Sequence, residues 1–154
     1  KISDIFGGRG LTQSLGVNES NTDGMAKTLK LVDEDFTGLA FVNLVDGDMI
    51  YGHRRDIPGY ARAMQEFDDW LTTFLPRMRA DDVLMVTADH GCDPGAEGTD
   101  HTREYVPLLI FGNHIAPVNL GTYPTFAMIG ATIADMFHVS LTTAGESFLP
   151  RILK

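Results

Sequence analysis

The stretch VLMVTADHG, residues 83–91, decides the fold class of this sequence. Its first five residues, Val83–Thr87, are apolar and mostly branched, which is typical of a buried strand, and the polar residues after them indicate a loop. GLAFVNLV at 38–45 and VPLLIF at 106–111 follow the same pattern, and a short strand is also predicted at 2–6. Several buried strands that end in loops predict a sheet at the centre of the fold.

Helical patterns separate these strands. Apolar residues recur at steps of three and four between 60 and 78, so they share one helix face directed at the core. The residues on that face are Tyr60, Met64, Phe67, Leu71, Phe74 and Met78. Pro58 marks the start of this helix, and Pro76 is expected to kink or end it. Further helices are predicted over Thr22–Val32, with Thr22 as N-cap, and over Thr125–Phe137. The alternation predicts a layered α/β fold with a largely parallel sheet.

Composition excludes several classes of protein. With 154 residues, 44% of them hydrophobic, the chain can bury a sizeable core without disulfides. Cys92 is its only cysteine, which agrees with a reducing cytoplasm, where we expect the protein to be located. Twelve Lys and Arg against 21 Asp and Glu give a net charge of −9, which would repel a nucleic-acid backbone. No apolar run approaches the roughly 20 residues that span a bilayer. Neither nucleic acid nor a membrane is an expected partner.

Metal-ligand residue types follow the strands. Asp48 and His53 lie five residues apart in a predicted glycine-containing loop, and Asp89 and His90 are adjacent at a strand end. His101 comes shortly before the next strand. Acids and imidazoles without cysteine suit Mn²⁺ or Zn²⁺, and five such ligands exceed what one open site requires. Two ions about 3.5 to 4 Å apart are the arrangement that stabilises attacking and leaving oxygens in phosphoryl transfer.

Other polar residues near these motifs have two readings. Asp46 competes with the aspartate two residues on for the ligand role, and we favour an orienting role for it and for Asp100. Cys92 is expected to be a small buried residue and not a ligand. His114 and His138 have no metal-ligand spacing and are expected at the surface or in the core.

Three arginines flank the motifs: Arg54, Arg55 and Arg103. A guanidinium group matches phosphate oxygens in a two-pronged contact, which makes these residues candidates for phosphate binding. The competing interpretation is a local salt bridge to Asp56 or Glu104, since exposed pairs of this kind are common and weak.

The motifs together resemble a known family. TADHG at 87–91, VDGDMIYGHRRD at 45–56 and GTDHTREYVPLL at 98–109 are similar to the phosphopentomutases of the alkaline phosphatase superfamily. The similarity extends from KISDIF at 1–6 to GESFL at 145–149. It implies a three-layer α/β/α sandwich with a largely parallel sheet, alkaline-phosphatase-like and incomplete in this chain.

The resemblance also implies a function. The family interconverts ribose 1-phosphate and ribose 5-phosphate, and the deoxyribose esters, through a phosphorylated threonine between two Mn²⁺ ions, with a bisphosphate sugar as activator. The implied metal ligands are Asp48, His53 and His101 on one ion and Asp89 and His90 on the other. Lys1 resembles a family lysine near the substrate phosphate.

In the family, the nucleophilic threonine, one further metal aspartate and a cap domain precede the matched segment. We therefore expect residues 1–154 to form a single domain, the C-terminal part of the core, without a catalytic nucleophile and inactive by itself. Its expected partners are sugar phosphates and the missing part of its own polypeptide. The alternatives are a related metal-dependent phosphatase or phosphoglycerate-mutase-like enzyme, and a non-catalytic domain that metal stabilises.

Overall fold

A computed structural model describes residues 7–154, so Lys1 and the strand predicted at 2–6 lie outside the described residues. In chain order the elements are helix α1 (Asn21–Val32), a π-helical turn (Gly47–Gly52), helix α2 (Ile57–Phe74), a 3₁₀ turn (Leu75–Arg77), strand β1 (Leu84–Thr87), strand β2 (Leu108–Phe111), helix α3 (Ala127–Met136) and the short helix α4 (Leu149–Ile152). Helices and strands both contribute, and the α/β class is confirmed. Within residues 7–154 no helix has the length and apolarity needed to cross a membrane.

The chain divides into two compact units. The first runs up to Arg79 and resumes over Thr87–Pro107, and the second comprises Ala80–Val86 and Leu108–Lys154. Helices α1 and α2 and the π-helical turn belong to the first unit. Most of the two strands and the last two helices belong to the second.

Helix α1 begins one residue earlier than predicted and has a different cap. Ser20, not Thr22, is the N-cap, and its hydroxyl accepts a hydrogen bond from the backbone N–H of Asp23 at 3.1 Å. The ammonium of Lys27, 2.7 Å from the Asp23 carboxylate, lowers the pKa of that carboxyl, and the backbone N–H of Glu19 adds to the effect. Both contacts stabilise the first turn of the helix.

Helix α2 confirms the amphipathic helix that the periodicity predicts. Asp56 caps it by accepting a hydrogen bond from the backbone N–H of Gly59 at 2.9 Å. Phe74 is buried at its C-terminal end, and the chain then tightens into the 3₁₀ turn that contains Pro76. Met64, in contrast, is 45% exposed, although it belongs to the predicted core face.

Strands β1 and β2 pair with each other in an antiparallel sheet. The start of one strand lies beside the end of the other, since a Cβ on Gly112 would be 2.9 Å from the carbonyl oxygen of Asp82. The largely parallel arrangement that the sequence predicts is therefore not what this pair adopts. The physical reason is the connection: a parallel pair needs a crossover, usually helical, whereas residues 88–107 form no helix and lead the chain back.

The strand predicted at 38–45 is absent from the part of the chain that the structure describes. Leu39 and Phe41 are each 58% exposed there. A strand exists only where a neighbour completes its ladder of hydrogen bonds, and an apolar run by itself supplies none. One fixed point is the side-chain amide of Asn18, which donates to the carbonyl of Asn43 at 2.9 Å.

Helix α3 lies inside the predicted range 125–137. The Thr125 hydroxyl accepts a hydrogen bond from the backbone N–H of Ala127 at 3.2 Å and so caps its first turn. His138 adopts a left-handed conformation, with φ of 54°, just after the helix ends. The N–H of Val139 then returns to the carbonyl of Ala134 at 2.8 Å, which closes the helix end.

The core of the second unit is built on Phe148 and Ile152, each 1% exposed, together with Ile115. Thr132, fully buried, connects α3 to this core: its hydroxyl donates to the carbonyl of Met128 at 2.8 Å and accepts from the backbone N–H of Phe148 at 3.0 Å. The C-terminal segment is thus fixed both by apolar packing and by a satisfied buried hydroxyl.

Candidate metal centre

Asp48 lies on the π-helical turn and His53 caps the end of that turn, whereas the sequence predicts a loop here. The backbone N–H of His53 donates to the carbonyl of Asp48 at 3.0 Å, a bond between residues five apart. In an α-helix such residues would point about 140° apart. The wider π turn brings them to the same side, and the His53 Nε2 lies 3.3 Å from the Asp48 Oδ1. Turns of this kind occur often at functional sites.

Of the two glycines of this turn, one is required by close packing. A Cβ on Gly47 would make ordinary van der Waals contact with helix α2, 3.6 Å from the Cε of Met64. A Cβ on Gly52 would overlap the Sγ of Cys92. A larger residue at position 52 would therefore push the turn away from the segment that carries His90.

Asp46, predicted to orient a ligand, is engaged with the start of helix α1. Its carboxylate accepts a hydrogen bond from the backbone N–H of Asn21 at 2.7 Å, and the Asn21 side chain accepts one from the N–H of Asp46 at 3.0 Å. Asn21 is only 6% exposed. This reciprocal pair of hydrogen bonds fixes the position of Asp46, which directly precedes the π-helical turn. It therefore also fixes the start of the turn that carries Asp48.

His90 and His101 reach the same carboxylate from a different part of the chain. The Nε2 of His101 lies 3.3 Å from the Asp48 Oδ1, and that of His90 lies 4.0 Å from the Asp48 Oδ2. The His90 Nε2 is also 3.5 Å from the Asp89 Oδ1. The rings of His90 and His101 stack with centroids 3.6 Å apart, and the ring of His53 is 5.0 Å from that of His101. Three of the other predicted metal ligands, the imidazoles, therefore lie around Asp48, and Asp89 lies beside His90.

The imidazoles are oriented so that Nε2 faces the cluster. The Nδ1 of His53 contacts the carbonyl of Thr99, and the Nδ1 of His90 lies 3.0 Å from the carbonyl of Gly91. A carbonyl only accepts hydrogen bonds, so these contacts suit an imidazole that donates from Nδ1 and offers its Nε2 lone pair to a metal ion. This is the arrangement in which histidine binds metal ions.

The residues present fit a divalent metal ion. One ligand atom from each of Asp48, His90 and His101 lies within 4.8 Å of the other two. The buried Nε2 of His90 forms no hydrogen bond with any residue of the described chain, and a bound cation would satisfy it. A carboxylate with imidazoles is a donor set for borderline divalent ions.

A cavity of about 160 Å³ opens beside His90, with Tyr60, Cys92 and Glu104 in its wall. Burial raises the pKa of the Tyr60 hydroxyl and of the Cys92 thiol, and the negative charges of Asp48 and Glu104 add to both shifts. Both groups therefore stay protonated near neutral pH. A protonated thiol is a poor metal ligand, and Cys92 is not part of the cluster around Asp48.

The three arginines predicted to contact phosphate are exposed: Arg54, Arg55 and Arg103. The acids that could have paired with them are engaged elsewhere. Asp56 caps helix α2 and lies 4.0 Å from Arg62, and Glu104 accepts a hydrogen bond from the hydroxyl of Thr102. The side chains of the three arginines therefore remain accessible to a phosphate.

The remaining candidates are not among the residues grouped around Asp48. Asp100 is exposed in the loop before His101, and its orienting role stays a prediction. His114 and His138 are exposed and belong to the second unit. Sequence reasoning missed Asn21 and Thr102. Thr102 stands inside the quoted DHTRE motif, whereas no sequence signal identifies Asn21, whose partner is 25 residues away.

Comparison with known proteins agrees with this site. Residues 2–141 match the model of the Metalloenzyme superfamily. The chain is 53% identical over 154 residues to a phosphopentomutase of Acetivibrio thermocellus, covering 99% of this chain and 39% of that protein. It is 51% identical over 155 residues to a phosphopentomutase of Lachnoclostridium phytofermentans, and 54% identical over 155 residues to one of Symbiobacterium thermophilum. These two alignments cover 100% of this chain and 40% and 39% of the relatives.

The chain thus spans about two fifths of the length of the curated relatives it matches. The family model, in contrast, covers most of this chain, including every residue of the cluster around Asp48. From this match and from the convergence of acids and imidazoles, we conclude that the chain belongs to the Metalloenzyme superfamily.

Proposed function

We propose that this chain is the metal-binding part of a phosphopentomutase, which interconverts ribose 1-phosphate and ribose 5-phosphate and the corresponding deoxyribose esters. The observation that carries the proposal is the convergence of three imidazole Nε2 atoms on one carboxylate, all within 4.0 Å of Asp48. The identity of 51 to 54% to phosphopentomutases supports the choice of reaction.

The proposed metal is Mn²⁺, two ions for a complete site. The distances favour one group made of Asp48, His53 and His101, since both imidazoles lie 3.3 Å from the same Oδ1, and a second made of Asp89 and His90 at 3.5 Å. When bound, such a pair of ions would stabilise negative charge on the attacking and leaving oxygens of phosphoryl transfer.

The chain's own residues have distinct parts in this proposal. The carbonyls of Thr99 and Gly91 contact the Nδ1 atoms of His53 and His90 and so orient their Nε2 atoms toward the metal. The exposed guanidinium groups bind the substrate phosphate through paired N–H donors. The residues proposed for this role are Arg54, Arg55 and Arg103, with Lys1 as a further contact. Asp46 orients the π-helical turn that carries Asp48, and Asp100 orients the loop that carries His101.

The nucleophile of the reaction is proposed to come from outside this chain. A threonine that carries the phosphate must lie beside the metal ions, and the resemblance assigns it to the portion of the relatives that precedes the matched segment. The cap domain and a bisphosphate sugar activator complete the proposed system. The partner of this chain is then the remainder of its own polypeptide.

A complementation assay tests this function. The chain is assayed for conversion of ribose 1-phosphate with Mn²⁺ and a bisphosphate sugar, alone and with the unmatched portion of the Acetivibrio thermocellus enzyme. We expect no turnover from the chain alone and measurable turnover from the mixture. If the mixture binds Mn²⁺ but stays inert, a non-catalytic metal-stabilised domain is the better description. Hydrolysis of a chromogenic phosphoester without isomerisation would instead identify a related phosphatase.

Metal should also stabilise the chain. Five acids and imidazoles that converge without a cation lose solvation, and a ligand that binds only the folded state stabilises it by about 2.7 kcal/mol at 100 times its Kd. We expect Mn²⁺ to raise the melting temperature and EDTA to reverse the rise. Because only neutral imidazole binds metal, the rise should shrink as the pH is lowered. Equal melting temperatures with Mn²⁺ and with EDTA would contradict the metal site. His138→Ala, outside the cluster, is the control that should keep the full effect.

A further inference from the structure

We infer that Thr102 is a positioning residue for the metal centre: its backbone and hydroxyl hold the segment of His101 against the segment of His90. The inference rests on the proposed metal site and adds to it a residue that touches no ligand atom itself.

Two kinds of contact join the segments. Gly91 and Thr102 form an isolated antiparallel bridge, in which the N–H of Thr102 donates to the carbonyl of Gly91 at 3.2 Å. The Thr102 hydroxyl accepts a hydrogen bond from the backbone N–H of Asp93 at 2.7 Å and donates to the carboxylate of Glu104. One side chain therefore satisfies a donor on one segment and an acceptor on the other.

This bridge bears directly on the ring of His90. The carbonyl of Gly91 that accepts from Thr102 is the same oxygen that lies 3.0 Å from the His90 Nδ1. Movement of Thr102 would move this oxygen, and with it the contact that orients the His90 ring. On the other side, Thr102 follows His101 in the chain, so the bridge also sets the distance between two rings that stack at 3.6 Å.

The segment of His90 and the segment of His101 approach each other closely at Gly91. A Cβ on Gly91 would lie 2.6 Å from the carbonyl oxygen of Thr102 and 2.7 Å from the backbone nitrogen of Glu104. These are backbone atoms that cannot rotate away, so only glycine fits at position 91. The third residue of the DHG motif therefore serves the contact with Thr102.

The test compares two substitutions of Thr102 in the 154-residue chain. Thr102→Val keeps the shape but removes the hydroxyl, whereas Thr102→Ser keeps the hydroxyl. By calorimetric titration with Mn²⁺, we expect the valine variant to bind 10- to 100-fold more weakly and the serine variant to stay within about threefold of the parent. Thr73→Val, at an exposed position of helix α2, is the matched control and should not change the affinity.

A purely structural role for Thr102 would lower the melting temperature and leave the affinity of the folded chain unchanged. That result overturns the inference, as does a serine variant that loses as much affinity as the valine variant. Proton NOEs between the rings of His90 and His101 in the metal-free chain supply a readout that needs no metal, because these rings stack with centroids 3.6 Å apart. We expect Thr102→Val to weaken these NOEs and Thr102→Ser to keep them; unchanged NOEs in the valine variant overturn the inference. If the parent chain binds no Mn²⁺, the proposed function fails, and the NOE comparison still decides the role of Thr102.

Discussion

Replacing Asp48 with asparagine should weaken Mn²⁺ binding more than any other single change in this chain, by on the order of 100-fold or beyond. Its carboxylate faces all three imidazoles, at 3.3 Å from His53 and His101 and 4.0 Å from His90. Asparagine has nearly the same shape, but it lacks the negative charge. It also presents an N–H₂ group that would donate a hydrogen bond to an Nε2 lone pair otherwise available to the metal.

Calorimetric titration of Asp48→Asn with Mn²⁺ measures this effect. Asp135→Asn is the matched control: that carboxylate accepts a hydrogen bond from Ser147 at 2.7 Å in the second unit, and its replacement should leave Mn²⁺ affinity unchanged. If Asp48→Asn binds Mn²⁺ with an affinity within threefold of the parent, Asp48 is not a central ligand of the site. The metal would then have to be held by Asp89 and the histidines alone.

The sequence predicts well those features that depend on local signals. Helix α2 has an apolar period, Pro58 near its start and Pro76 just after its end, all within one stretch, and the structure forms it nearly as predicted. The Asp and His motifs likewise predict the three imidazoles that gather at Asp48, although residues 38–45, expected to lead into this site as a strand, form none. Local propensity and local chemistry act in the same direction here.

Features that depend on distant partners could not be read from the sequence. The apolar run at 38–45 has the composition of a strand, but pairing requires a neighbour, and composition does not say whether one is present. The antiparallel pairing of β1 with β2 follows from the path of a connection without a helix. Apolar composition indicates that a segment prefers to be buried. It does not indicate whether two paired strands run parallel or antiparallel.

The metal site also combines features that the local sequence predicts with features that depend on distant residues. The spacing of Asp48 and His53 is visible in the sequence, but their convergence requires a π-helical turn, and a five-residue spacing does not distinguish this turn from a loop. The turn is stabilised by close packing of Gly52 against Cys92, which is 40 residues further along the chain. Asp46 competes with Asp48 for the ligand role in the sequence, where an orienting role is favoured for it, and the structure adds the hydrogen bonds that engage Asp46 with Asn21.

Replacing Phe148 with alanine should cost about 3 to 5 kcal/mol of unfolding free energy, the usual range for deletion of a buried aromatic ring. Phe148 is 1% exposed, packs with Ile115 and Ile152, and stacks on Tyr123 with ring centroids 5.5 Å apart. Its backbone N–H is held by the buried hydroxyl of Thr132 at 3.0 Å, so the main chain cannot easily move inward to fill the space that the ring leaves.

Urea unfolding followed by circular dichroism measures this cost, with Phe126→Ala as the control. Phe126 precedes helix α3 and is 52% exposed, so its truncation should cost less than about 1 kcal/mol. Total stabilities of natural domains are about 5 to 15 kcal/mol, so the loss at Phe148 is a large fraction of the whole. Equal costs for the two variants would mean that the ring of Phe148 is not enclosed. The apolar cluster around Ile115 and Ile152 could then not be what holds the C-terminal segment against α3.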